Sequence, residues 1–151
     1  HMQISIKKLG RKSIEVSVWF GKRRDIECLN TTCSLINNMV RGVTEGFRYK
    51  LRLVYAHYPI QLSVDSVKKE ISVKNFIGQR HIRNVKFPEG VKIYPSGLKD
   101  EIIVEGIDLR DVSLTSARLH QCARPRDKDI RKLLDGIYIT DRTTMESVVA
   151  V

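Results

Sequence analysis

A chain of 151 residues and 17.4 kDa, 42% of it apolar, can fold as one ordinary domain or two small ones, and no apolar run approaches the about 20 residues that cross a bilayer. Charge is the unusual quantity: 27 Lys plus Arg against 17 Asp plus Glu give a formal +10 and a pI near 9.7, which points to a polyanionic partner. Three cysteines, Cys28, Cys33 and Cys122, lie within apolar periodic stretches, imply no disulfide framework and read as reduced, buried thiols of an intracellular protein. No signal peptide opens the sequence, and His1-Met2 reads as a pair left by a cloning site, so that the natural chain is expected to begin earlier.

Residues 3–8 and 13–20 are short and β-branched, and with Leu9-Gly10-Arg11-Lys12 between them they predict a hairpin. From Lys22 to Val43 the apolar residues Ile26, Leu29, Cys33, Ile36, Val40 and Val43 step by three and four, which places one stripe along a helix and predicts its burial against a sheet. Gly42 and Gly46 are stop signals. Four β-rich runs follow, Phe47 to Tyr58, Ile60 to Val64, Glu70 to Phe76 and His81 to Phe87, separated by Pro59, Asp65-Ser66 and Gly78; together they predict a meander. Val91 to Tyr94 and Glu101 to Glu105 flank Pro95-Ser96-Gly97-Leu98 as another hairpin. A helix then runs from about Leu109 to Ala123, N-capped by Asp108.

The two hairpin–helix units superimpose in sequence at an offset of 86 residues, with Glu15, Val16, Val18, Arg24, Asp25 and Ile26 falling on Glu101, Ile102, Val104, Arg110, Asp111 and Val112. The fold expected is α+β, two duplicated small α/β domains, each an antiparallel sheet with a helix on one face, the first incomplete. The boundaries expected are 1–46, 47–142 with a C-terminal RNA-binding extension, and 143–151 as a flexible tail.

Zinc requires clustered Cys or His ligands at characteristic spacings, and here four histidines are scattered while Cys28 and Cys33 share one helix without a partner pair. None of the phosphate-loop, dinucleotide, serine-hydrolase or zinc-protease signatures occurs, so neither metal, cofactor nor catalytic residue is assigned and the chain is not expected to be an enzyme.

Two segments can meet an anion. Gly46 to Tyr55 alternates so that Phe47, Tyr49, Leu51, Leu53 and Tyr55 share one face of a strand and Arg48, Lys50 and Arg52 the other. That second face is either an ordinary solvated surface or a cationic one touching phosphates. The other segment is Arg124-Pro125-Arg126-Asp127-Lys128-Asp129-Ile130-Arg131-Lys132-Leu133-Leu134-Asp135-Gly136-Ile137-Tyr138, where Pro125 ends the preceding helix and basic and acidic residues alternate. It is either a charged linker or an RNA-binding segment, since guanidinium forks pair with phosphates and their planes stack on bases.

At these residues the chain resembles the large-subunit ribosomal protein family called the sixth in bacteria and the ninth in eukaryotes, in its eukaryotic and archaeal branch. The resemblance is carried by Arg41-Gly42-Val43-Thr44-Glu45-Gly46-Phe47-Arg48-Tyr49-Lys50, Val54-Tyr55-Ala56-His57-Tyr58-Pro59-Ile60, Asn75-Phe76-Ile77-Gly78 and the stretch from Lys128 to Tyr138, and it covers about Gln3 to Arg142. It implies two α/β domains made by duplication, no enzymatic activity, and binding to large-subunit rRNA near the sarcin–ricin loop beside the base of the factor-binding stalk.

The rRNA-binding residues expected are Arg124, Arg126, Lys128, Arg131, Lys132 and Tyr138, with Arg48, Lys50 and Arg52. Other expected partners are neighbouring ribosomal proteins, with no membrane, and the place of work is the cytoplasmic ribosome, with nucleolar assembly if the source is eukaryotic. The chain departs from the family by lacking a strand pair ahead of residues 3–20 and by the basic Arg124-Pro125-Arg126. The first departure raises the expectation of a homodimer or strand exchange in isolation, or else of residues 3–20 packing onto the second domain. A protein-interaction module without RNA contact is the alternative, and salt separates the two because phosphate contacts weaken steeply as it rises.

Overall fold

The computed structural model describes residues 3–145. It divides into two compact units, residues 1–41 and 42–151. The first contains an antiparallel hairpin of β1 (Ser5–Lys8) and β2 (Ile14–Ser17), in register from Ser5 opposite Ser17 to Lys8 opposite Ile14. Helix α1 (Arg23–Thr44) follows, and its last turn enters the second unit. Its start is set locally: the Asp25 carboxylate accepts the Lys22 backbone N–H at 2.8 Å while the Lys22 carbonyl accepts the N–H groups of Asp25 and Ile26. It ends where Gly46 takes a positive φ of 70° and returns its N–H to the Gly42 carbonyl.

The apolar stripe of α1 lies where the sequence predicts, but its burial does not follow. Ile26 and Val40 are 58% and 54% exposed, Cys33 is exposed and Cys28 half-buried, and Leu29 and Ile36 are half-buried. Gly42 is the buried residue of the helix. Within the first unit the described residues offer two strands of four residues, too little sheet to cover six turns of helix.

In the second unit, β3 (Phe47–Val54) runs centrally in a four-stranded antiparallel sheet with β7 (Lys92–Pro95), β8 (Glu101–Gly106) and β9 (Gly136–Thr144), in the order β7-β8-β3-β9. A separate three-stranded meander holds β4 (Gln61–Asp65), β5 (Glu70–Lys74) and β6 (Arg83–Lys86). The single four-run meander read from sequence is therefore wrong in its first member: β3 pairs with strands about 50 and 90 residues away rather than with β4. A short 3-10 turn, Phe76–Gly78, links β5 to β6.

Helix α2 (Leu109–Cys122) is fixed at its start by Asp108, whose carboxylate accepts the Arg110 N–H at 2.8 Å. It packs on β3, β8, β9 and β6, and its Val112 and Leu119 are fully buried with Leu51, Val104, Ile137, Ile71, Val73 and Phe76. Thr115 and Ser116 are buried too, and their hydroxyls donate to the carbonyls of Asp111 and Val112, so no polar group is stranded there. The fold is α+β with antiparallel sheets, and α1 and α2 begin 86 residues apart, the offset of the sequence repeat.

Candidate nucleic-acid interface

The thirteen residues between α2 and β9 are shaped by local constraints. Pro125 has no N–H with which to prolong the helix, and Asp127 adopts a left-handed φ of 54° that turns the chain. Asp129 then closes a tight turn: its carbonyl accepts from Lys132 and Leu133 at 3.1 and 2.9 Å, and its carboxylate accepts the Arg131 backbone N–H at 2.9 Å. The acidic residue that alternation sets beside Lys128 and Arg131 thus caps backbone instead of neutralising a neighbouring side chain. Arg124, Arg126, Lys128, Arg131 and Lys132 are all exposed, and none forms an ion pair among the described residues.

The far end of the segment is anchored. Asp135 is buried, and its carboxylate accepts the Ala56 N–H at 3.2 Å, tying the segment to the chain just beyond β3. Ile137 is fully buried, its carbonyl meets His120 Nδ1 at 2.6 Å, and the His120 and Tyr138 rings lie 5.5 Å apart. Tyr138 is 37% exposed, and Ile130 and Leu134 are exposed beside a hollow of about 400 Å³ that also touches Arg124, His120 and Gly136. Arg124, the Tyr138 ring and the apolar Ile130 and Leu134 therefore line one hollow.

The strand face gives a different result. Arg48 pairs with Glu105, both side chains largely buried, and Lys50 pairs with Asp141 at 3.4 Å. Tyr94 joins the first pair, its hydroxyl pKa raised by burial and then by a hydrogen bond to Glu105. Arg52 is exposed with no ion pair among the described residues. Two of the three cations on this face already have a carboxylate, and Arg52 is left.

Sequence reading passed over Gln79, His81 and Arg83, which the fold brings against Arg124 and Arg126 in a second groove. The basic run Arg80-His81-Ile82-Arg83 was the available signal. Its last three residues fall in the strand predicted from His81 to Phe87, which in fact begins at Arg83.

Residues 59–136, which include most of the interface segment, match the family description "Ribosomal protein L6". The chain is 44% identical over 149 residues to the large ribosomal subunit protein uL6A of Schizosaccharomyces pombe, covering 98% of this chain and 78% of that protein. It is 41% identical over 150 residues to uL6 of Candida albicans, covering 96% and 78%, and 39% identical over 142 residues to uL6 of the archaeal-type relative from Staphylothermus marinus, covering 93% and 76%. With such identity over nearly all of its length, the chain belongs to the ribosomal protein L6 family, whose role is structural rather than enzymatic.

Proposed function

We propose that this protein is a structural constituent of the large ribosomal subunit that holds rRNA through the segment from Lys128 to Tyr138, near the sarcin–ricin loop and the base of the factor-binding stalk. The observation that carries the reading is the Asp129 turn, which presents Lys128, Arg131 and Lys132 outward without carboxylate partners among the described residues, on a segment anchored by Asp135 and Ile137. Fixed cations lose less freedom on meeting phosphates than cations on a loose tail, and Tyr138 offers a face on which a base or ribose can rest. Arg124 and Arg126 extend the surface toward α2, and Arg52 adds a cation at the strand face. Arg48 and Lys50 contribute less, because an RNA phosphate would have to displace Glu105 or Asp141. The partners are large-subunit rRNA and neighbouring ribosomal proteins, on cytoplasmic ribosomes and, for a eukaryotic source, in the nucleolus during assembly.

The test is incorporation. The double substitution Arg131→Glu/Lys132→Glu alters exposed side chains only and should leave the thermal transition unchanged while reducing the protein's recovery in large subunits severalfold. Normal recovery would show that the segment is not the rRNA contact.

A second reading concerns the isolated protein. Among the described residues the β1–β2 hairpin has both outer edges unpaired, and Trp19 and Phe20 beside it are exposed, which supports exchange or edge pairing between two copies. Light scattering over a concentration series tests it, and a constant monomer mass would exclude the exchange.

A further inference from the structure

We propose that the turn between β2 and α1 is a stacking platform for unpaired RNA bases of any sequence, on which Trp19 and Phe20 receive bases while Lys22 and Arg24 meet the adjoining phosphates. The turn belongs to the first compact unit, so the proposal is independent of the Lys128–Tyr138 reading. Its chemistry differs too: two ring faces carry the binding, where that segment offers mainly charge.

Trp19 is 73% exposed and Phe20 completely so, and no other aromatic residue of the chain comes near them, the next being Tyr58 at 44%. Their position is set by the backbone. Strand β2 ends with Ser17 opposite Ser5, and the chain then folds back so closely that a Cβ at Gly21 would collide with Val18 and lie 3.1 Å from the Asp25 Cβ. With Val18 and Asp25 against Gly21 on the inside of the turn, Trp19 and Phe20 are left on the outside. Phe20 holds a left-handed φ of 51°, a conformation that is costly for any residue with a Cβ and that collects at ligand-binding segments.

Exposed aromatics suit a protein partner as well as a nucleic acid, and the charges around them decide. Residues 1–41 hold eight Lys or Arg against three Asp or Glu, half of the chain's net +10 in about a quarter of its length. Both acids near the turn are engaged: Asp25 accepts the Lys22 backbone N–H at 2.8 Å, and Glu27 pairs with Arg23 at 3.2 Å. Lys22 and Arg24 are exposed and form no ion pair among the described residues. Rings for bases beside cations for phosphates are the combination by which a single strand is held without sequence preference. A duplex hides its base faces in the stack, so only unpaired nucleotides can use the rings. Edge pairing of the hairpin with a second copy would engage backbone groups of β1 or β2 and leave both rings free.

Trp19 is the one tryptophan of the chain, so its emission reports on this turn alone. The experiment titrates the full chain with a short oligouridylate, with duplex RNA of the same length and with polyglutamate, following tryptophan fluorescence between about 50 and 200 mM KCl. Oligouridylate should quench the emission saturably, and the duplex should not. Phe20→Gly removes one ring and suits the left-handed backbone, so it should weaken binding about 5- to 150-fold, the value of one base stack, with the salt slope unchanged. Phe20→Asn, which also tolerates that backbone, should behave alike and keeps the test open if the glycine loosens the turn. Lys22→Gln/Arg24→Gln should flatten the slope of log affinity against log salt by about 1.4, since each phosphate contact to a single strand contributes about 0.7. Arg131→Gln/Lys132→Gln should leave the quenching as it is. Unchanged emission at high oligouridylate, with rRNA still bound through Arg131 and Lys132, would overturn the platform and leave the first site standing. Equal quenching by the duplex would reduce the turn to a charge contact and overturn the stacking. Quenching by polyglutamate and not by RNA would assign the turn to an acidic protein segment, and emission that shifts with protein concentration but not with RNA would assign it to a second copy; either overturns the proposal.

Discussion

Replacing Glu105 by Gln should cost more stability than any change to the exposed cations. Glu105 and Arg48 face each other across β3 and β8, with side chains 11% and 18% exposed, so the substitution removes the counter-charge and leaves a guanidinium mostly out of water. Breaking a buried pair by deleting one partner costs about 3–5 kcal/mol. Because Arg48 keeps some solvent and Gln keeps an acceptor, we expect a cost at or just below the bottom of that range, about 2–3 kcal/mol. Arg48→Met should cost at least as much as the carboxylate change, since it leaves the Glu105 carboxylate, the more buried of the two groups, without its counter-charge. The double variant Arg48→Met/Glu105→Gln should be more stable than the sum of the single changes predicts, by at least about 1.5 kcal/mol. Urea denaturation of all four proteins measures the cycle, and a Glu105→Gln cost below about 0.5 kcal/mol with no coupling would refute the view that the pair is a packed element of the sheet. The same proteins bear on RNA: Arg48→Met should leave the salt slope of rRNA binding within error of the unaltered chain.

Two further outcomes follow from single positions. A Cβ at Gly42 would lie 2.1 Å from the Ile107 carbonyl oxygen, so Gly42→Ala should destabilise the fold by at least about 1 kcal/mol, read as a lowered melting temperature, although Ala is the better helix former by about 1 kcal/mol. Burial raises the Cys122 thiol to about 11, so only about a thousandth of it is thiolate at pH 8, and its reactivity should climb tenfold per pH step up to that value. Mass spectrometry after brief alkylation at pH 8 should find exposed Cys33 modified well before Cys122; equal rates would contradict the burial.

Local signals carried what local signals can. Asp108 ahead of Leu109 marks the start of α2, and Gly46 the end of α1, because caps are decided within a few residues. Sheet membership is decided by partners far along the chain, which is why Phe47 to Val54 was recognisable as a strand yet assigned to the wrong neighbours. Strand β9 escaped notice because Ile137 and Ile139 make a short apolar signal that Asp141-Arg142-Thr143-Thr144 then dilutes, and only pairing with β3 gives it a core face. Residues 146–151, read with 143–145 as a tail, lie outside the described residues. The cations from Arg124 to Lys132 were visible as a block, but which charges are already matched was not, since Glu105 is 57 residues from Arg48. The α1 stripe has the right period, and period reports a face without reporting whether anything covers it.

The pairing of β9 with β3 also sets an order of events. Thr143 Oγ1 donates to the Arg48 carbonyl, and Thr140 Oγ1 to the Lys50 carbonyl, across 95 and 90 residues of chain. On a ribosome that is making this protein, β3 emerges early and must wait, its Gly136–Thr144 edge vacant, until synthesis has passed Thr144. Only then is the Lys128–Lys132 turn tethered on both sides. A chain ended before β9 would carry the same cations on a segment held at one end only, so the shape of the Lys128–Lys132 turn depends on a strand pairing made with residues translated about 90 positions earlier.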